Sequence, residues 1–400
     1  MAKTLRERTI AWALQSESAQ RIRACLEIAR CLPPIADGGA GWDEVYYKMA
    51  VGEAVINLPL GTGEPGVKED KMSLSTNVRY NPQAEAPRWR QFLKEIFVDD
   101  DLINYIQLAV GYSLTGETSE QCFFMCYGKG ANGKTTFLAA LRHVMGDYAY
   151  VLPFAVIERP RRGSGGENAS PYLADLAGRR FVTASEYKEG AKLNEARIKE
   201  LTGEGVLTAR PLYKQPFTYV PQCKLWIAVN HKPQIDDDSD AFWRRVRFIP
   251  FNETFEGGAI DTSLAGKLAA EVEGILRWAV EGVVRWYKLR DENDGRPVLG
   301  EVPGADEFVK EWRGDSDPIQ EFLDAYCVVK PDCRVERSSL YEAYADWANS
   351  VSLPTKERLT RTSFIRRVAA RFKTQKSGNA RFFKGLELIV EPKTPEAAEY

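Results

Sequence analysis

The residues Gly128-Lys129-Gly130-Ala131-Asn132-Gly133-Lys134-Thr135 place glycines, a lysine and a hydroxyl at the spacing G-x-x-x-x-G-K-[ST]. The chemistry open to such a run is phosphate binding. Glycines let backbone N–H groups close on phosphate oxygens and tolerate positive φ. Lys134 is placed to reach the β- and γ-phosphates of a nucleoside triphosphate, and the Thr135 hydroxyl to ligate Mg²⁺. The expected nucleotide contacts are therefore Gly128, Gly130, Asn132, Gly133, Lys134, Thr135 and Thr136.

A phosphate loop works when a buried strand and a helix N-terminus hold it. Residues 122–127 are an apolar run, and residues 136–142 read as helix. Three further runs have strand character: 181–185, 224–229 and 246–251. Strands separated by helical segments predict an α/β core with a largely parallel sheet. The second of these four strands ends in Glu186, expected beside the phosphate loop to polarise the attacking water and help hold the metal. Ser185 stands where a magnesium-holding Asp is usual. The third is followed by Asn230, suited to sense a γ-phosphate, and Arg244 and Arg245 precede the fourth. Either arginine fits a finger supplied to a neighbouring subunit's nucleotide.

Composition narrows the class. A chain of 400 residues, 44% hydrophobic and 28% charged, is expected to be soluble and to fold as two or three domains. No apolar run is long enough to span a bilayer, and no apolar core follows the charged first residues, so neither an anchor nor a signal peptide is expected. Seven cysteines without a C-x-x-C pair suit a reducing, cytoplasmic setting, and two histidines make a zinc site improbable. With a net charge of −2, nucleic-acid contact has to come from local basic patches.

Three regions are expected: a mixed, helical N-terminal region over 1–87, the ATPase domain over 88–290, and a C-terminal domain over 306–392. Helical periodicity covers 5–31, 89–114 and 264–286; residues 55–59 and 74–80 are candidate strands, and 291–303 reads as a linker. Two segments are candidates for DNA contact. Residues 206–219 form β-prone arms around a Pro-bounded tip with Arg210, Tyr213 and Lys214, combining phosphate neutralisation with base stacking. Near the C-terminus, a helix with Arg366, Arg367 and Arg371 precedes a basic hairpin turning at Gly378-Asn379 and carrying Arg381 and Lys384. Helix plus basic hairpin is a winged-helix pattern.

Taken in order, these motifs resemble superfamily 3 helicases, most closely the branch forming the helicase part of phage and plasmid primases and of poxvirus-type primase-helicases. The resemblance starts at Asn57-Leu58, Tyr80-Asn81-Pro82-Gln83-Ala84 and Pro87-Arg88-Trp89-Arg90-Gln91-Phe92-Leu93, and continues through Gly111-Tyr112-Ser113-Leu114-Thr115-Gly116 into the phosphate loop. It includes Leu176-Ala177-Gly178-Arg179-Arg180, Ile198-Lys199-Glu200-Leu201-Thr202-Gly203, Asn230 and Trp243-Arg244-Arg245. It implies an AAA+-like P-loop ring motor, a hexamer, with ATP and Mg²⁺ between subunits and single-stranded DNA in the pore. Lys214 would grip that strand on a pore hairpin, and a winged helix would bind duplex or origin DNA. The ring would replicate a phage, plasmid or integrated element, in company with a primase or polymerase. Two alternatives stand beside it: an ATP-gated origin-binding initiator with little unwinding, and a P-loop small-molecule kinase.

Overall fold

In the computed structural model the N-terminal helical run is broken at Ser18. The structure describes residues 4–389 except 34, 38, 40, 160–170, 186–190, 204, 234, 236–239, 258–260, 316–318, 354–357 and 379. Helix α1 (Leu5–Ser16) starts on a capping box between Thr4 and Glu7. Helix α2 (Ala19–Ala29) starts where the Ser18 hydroxyl accepts from the Arg21 N–H, so one expected helix becomes two. Neither buries a side chain. Together with residues 66–73 this segment, up to 45, forms its own compact unit. Within it the Asp43 carboxylate accepts from Ser73 N at 2.7 Å, and Lys71 pairs with Asp37 at 3.3 Å.

The rest of the chain forms the second unit. It begins with an antiparallel meander of β1 (Lys48–Val51), β2 (Ala54–Asn57) and β3 (Thr62–Pro65). Met49, Val51, Ile56 and Leu58 are buried in the core shared with the large sheet. The expected 1–87 region is thus divided, because its strands carry apolar side chains that only that core can bury. Of the candidate strand 74–80, Thr76 alone makes a bridge, to Val51. Helices α3 (Pro87–Phe97) and α4 (Asp100–Leu114) replace the single periodic run, with Val98 at φ +60° and Asp99 capping the second.

The large sheet follows. In chain order come β4 (Phe123–Tyr127), α5 (Lys134–Met145), β5 (Ala149–Val151), α6 (Pro171–Ala174), β6 (Phe181–Ser185) and α7 (Glu195–Leu201). A hairpin of β7 (Leu207–Ala209) and β8 (Phe217–Tyr219) precedes β9 (Lys224–Val229), α8 (Asp240–Trp243) and β10 (Val246–Pro250). The sheet order is β10-β4-β9-β6-β5, and every pairing is parallel. Near-continuous apolar strands suit a sheet covered on both faces. Trp226 of β9 stacks on Phe124 of β4 at 4.2 Å between ring centroids. One expectation is corrected here: β6 does not adjoin the phosphate-loop strand, because β9 lies between them.

Helices α9 (Leu264–Ala270) and α10 (Val272–Glu292) pack over α5 and α4. The α4–α10 crossing depends on two glycines. A Cβ on Gly111 would meet Val283 N at 2.2 Å, and one on Gly282 would meet Gln107 O at 2.1 Å. The expected linker is packed: Leu299 and Val302 are buried, and the Val298 and Leu299 N–H groups donate to the Glu120 carboxylate. Helix α11 (Asp306–Asp315) belongs to the same core, with Phe308 stacked on Phe248 at 3.9 Å and Trp312 buried. The C-terminal module therefore begins near Ile319 rather than at 306.

That module has its own core of Phe322, Leu340, Tyr344, Phe364, Val368 and Phe383. Its order is α12 (Gln320–Tyr326), β11 (Cys327–Glu336), α13 (Arg337–Ser350), α14 (Arg361–Arg371), β12 (Thr374–Ser377) and β13 (Ala380–Leu388). The three strands are antiparallel with β13 in the middle. Ser377 pairs with Ala380 at the expected hairpin, where Gly378 lies at φ +59°; Asn379 lies outside the described residues.

Candidate nucleotide site

The phosphate-loop candidate runs from the carboxyl end of β4 to the N-terminus of α5, where Gly133 is the helix cap at φ +83°. Gly130 lies at φ +112° and Ala131 at φ +47°, so the loop needs residues tolerant of the left-handed region. Gly128 is required for another reason. A Cβ there would sit 2.0 Å from Asn132 Nδ2 and 2.4 Å from Phe251 O.

Lys134 is only 5% exposed. Its ammonium donates to the Gly128 carbonyl and to Asn132 Oδ1 at 3.0 Å. Burial pulls its pKa down to about 8, against a smaller opposing pull from the Cys126 thiol. Asn132 is buried too, and its Nδ2 donates to Phe251 O at 3.3 Å. The Phe255 N–H closes on Ala131 O at 2.8 Å, and Gly128 N on Val229 O at 3.3 Å. The loop is thus tied to the ends of β9 and β10. Thr135 is exposed and Thr136 half-buried on the first turn of α5.

Two grooves lie along α5, one at its first turn and one at its carboxyl end. The first, about 390 Å³, is lined by Thr135, Thr136, Ala139, Ala140, Leu268 and Val272, among others. The second, about 420 Å³, is lined by Asn77, Arg79, Arg142 and Glu273, and the two share His143 and Val272. Beyond Thr135 and Thr136, sequence reading missed these residues. The signal available was a run of small side chains on one face of α5, at 135, 136, 139 and 140.

Asn230 lies exposed just past the carboxyl end of β9, next to the strand that leads into the loop. Ser185 ends β6 level with Ala228, and Glu186 lies outside the described residues. Arg244 and Arg245 precede β10 and so sit at the amino-terminal edge of the sheet. Arg244 is exposed, whereas Arg245 is half-buried and donates to Ala241 O and to Gln121 Oε1 at 3.3 Å. The structure brings together Gly128, Asn132, Lys134, Thr135 and Asn230; it does not bring Arg244 or Arg245 to them.

The β7–β8 hairpin is present at its expected place, pairing Ala209 with Phe217. Its tip carries Arg210, Lys214 and a fully exposed Tyr213 at φ +59°. In the C-terminal module Arg366, Arg381 and Lys384 are exposed. Arg367 and Arg371 are half-buried, and Arg371 donates to Gln320 Oε1 at 3.0 Å, so that residue faces α12 rather than solvent alone. Among the described residues no His, Cys, Asp and Glu cluster could hold a metal ion, and no helix is long and apolar enough to cross a membrane.

Residues 1–98 match a family model described as "D5 N terminal like", and residues 126–245 match a family of unknown function, DUF5906. A protein of Acanthamoeba polyphaga mimivirus named "Putative helicase" is 34% identical over 217 residues, covering 53% of this chain and 22% of its own length. A protein of African swine fever virus named "Putative primase" is 22% identical over 292 residues, covering 69% of this chain and 30% of its own length. The chain is thus similar to viral proteins named as helicases and primases. The chain spans less than a third of either relative's length. Among solved structures, the apo C-terminal region of NrS-1 aligns at 12% identity and a TM-score of 0.46, covering 84% of this chain and 82% of that one.

Proposed function

We propose that this chain is the motor part of an ATP-driven DNA helicase or translocase of the superfamily 3 type, assembled as a ring that replicates a phage, plasmid or integrated element. One observation carries the reading: the loop that leads to Lys134 leaves the carboxyl end of β4, whereas Arg244 precedes the amino end of the adjacent parallel β10. Val246 pairs with Phe123 and Pro250 with Tyr127, so the paired strands between those two edges are about five residues, roughly 16 Å, long. A transition-state arginine at that edge meets a second chain's nucleotide, not its own. Arg244 is the better finger, because Arg245 is already held by Ala241 and Gln121.

In this reading Lys134 and the loop N–H groups hold the β- and γ-phosphates, Gly128, Gly130 and Gly133 permit the approach, and the nucleoside lies along α5 in the groove of Ala139, Ala140 and Leu268. The exposed Thr135 on the first turn of α5 fits a Mg²⁺ ligand, and Mg²⁺ would supply charge neutralisation on the phosphates. Asn230 orients the attacking water, and Glu186 accepts its proton, a role resting on its place after Ser185. Arg244 of the neighbouring subunit stabilises the charge that develops as the γ-phosphoryl leaves.

Arg210, Tyr213 and Lys214 give the motor its grip on single-stranded DNA, with Tyr213 offering a stacking face clear of the fold. The order of the C-terminal module, helix–strand–helix–helix–hairpin, suits a winged helix presenting Arg366, Arg381 and Lys384 to duplex DNA. The names of the viral relatives support a role in replication.

The test is ATP hydrolysis with and without single-stranded DNA, run beside Lys134→Ala. Stimulation by DNA that vanishes in the variant supports a nucleic-acid motor. Hydrolysis indifferent to DNA turns the reading toward an ATP-gated initiator.

A further inference from the structure

Arg247 is placed to govern Arg244 without touching nucleotide. It lies on β10, paired in register with Phe124. Its guanidinium donates to the Arg244 carbonyl at 2.7 Å, to the Leu299 carbonyl at 3.0 Å and to the Val246 carbonyl at 3.3 Å. Leu299 is itself fixed. Its N–H donates to Glu120 Oε2 at 3.0 Å, and the Val298 N–H donates to Glu120 Oε1 at 3.0 Å. Trp286 Nε1, on α10, donates to the same buried carboxylate at 2.8 Å. An unbroken set of contacts therefore runs from α10 through the 293–303 segment to the backbone of Arg244. Arg245 is held apart from it, by Ala241 and Gln121.

We infer that Arg247 is a positioning residue: it sets the backbone of Arg244 so that the Arg244 side chain leaves the sheet edge at the angle a neighbouring subunit's nucleotide requires. The inference rests on the trans role proposed for Arg244. A planar guanidinium can bond two carbonyls in fixed directions, whereas an ammonium is a compact donor on a flexible stem. Such precision matters, because displacing a transition-state group by about 1 Å costs roughly a hundredfold in rate.

The experiment compares Arg247→Ala, Arg247→Lys, Arg244→Ala and Lys134→Ala in the full chain. It measures steady-state ATP hydrolysis with single-stranded DNA, affinity for a fluorescent ADP analogue, and Tm. Arg247→Ala is expected to lower kcat by about a hundredfold while KM and ADP affinity stay within about twofold. Arg247→Lys should fall between it and the wild type. Mixing Arg247→Ala with Lys134→Ala subunits should hydrolyse faster than either alone, since a mixed interface pairs an intact loop with a correctly held Arg244. A merely structural role would not produce that rescue.

Wild-type kcat in Arg247→Ala, with Arg244→Ala inactive, overturns the inference alone. So does a parallel loss of ADP affinity and kcat with no rescue on mixing. Should Arg247→Ala fail to fold, Arg247→Lys decides: full kcat overturns the inference, and reduced kcat at unchanged ADP affinity supports it. Wild-type hydrolysis by Arg244→Ala overturns the trans reading itself, and this inference with it.

Discussion

The Asn132 side chain donates to the Phe251 carbonyl at 3.3 Å, which ties the phosphate loop to the strand whose other end carries Arg244. The same amide accepts from the Lys134 ammonium at 3.0 Å. One buried side chain thus holds both the lysine and the strand. Asn132→Ala leaves the ammonium with one protein partner and the Phe251 carbonyl without this donor. We expect a loss of about 1–3 kcal/mol in stability and weaker nucleotide binding. Urea unfolding and titration with a fluorescent ADP analogue measure the two separately.

Two loop glycines should fail differently. At Gly128 an added Cβ meets the Asn132 amide and the Phe251 carbonyl, so Gly128→Ala must displace packed groups, at about 1–3 kcal/mol or more. At Gly130 nothing lies within 4 Å of a Cβ, but φ is +112°. Gly130→Ala therefore costs backbone strain of about 1–3 kcal/mol without a collision. Both should lose nucleotide binding. A stabilising substitution at Phe251's neighbours would help neither, but Gly128→Ala paired with Asn132→Ala should recover part of the stability, and Gly130→Ala paired with it should not.

Lys134 gives the site a pH dependence. Its folded pKa is about 8 against an ordinary value of 10.5, so between these the unfolded chain binds more protons than the folded one. Stability contributed at this residue therefore rises with pH through that window, and the cost of burying the ammonium is present in full below it. Nucleotide affinity moves the opposite way, falling as the ammonium loses its proton above about pH 8. Lys134→Ala should flatten both profiles. Unfolding and ADP titrations at pH 7.5 and 9.5 read them.

The hairpin tip separates stability from DNA response. Tyr213 is fully exposed at φ +59°, a conformation that costs a non-glycine residue about 1–2 kcal/mol. Tyr213→Gly should leave the fold as stable or slightly more so, yet reduce the DNA stimulation of hydrolysis. Lys214→Ala should weaken single-strand binding and flatten its salt dependence. Full stimulation in both variants would remove the hairpin from the DNA path.

In the C-terminal module, Arg366→Ala or Arg381→Ala should weaken duplex binding and reduce the salt slope by about 1. Arg371→Ala should instead lower Tm, because its guanidinium bonds Gln320 on α12. Binding isotherms at several salt concentrations, set beside thermal unfolding, distinguish the two classes.

The sequence alone already declared a glycine-rich strand–loop–helix turn at 128–135, a parallel α/β core, the β7–β8 hairpin and the C-terminal helix-plus-hairpin. Each is a local property: glycine tolerance of positive φ, apolar runs of strand length, helical period and turn chemistry act over a few neighbouring residues. Tertiary structure decided what depends on distant partners. It placed β9 between β4 and β6, gave the 48–65 meander and α11 to the large core, and packed the supposed linker through Leu299. It also turned like residues to unlike uses. Arg244 is exposed while Arg245 and Arg247 bond carbonyls, and Arg366 is exposed while Arg371 bonds Gln320. A guanidinium has the same sequence signature in every case; burial and the carbonyls within its reach settle what it does.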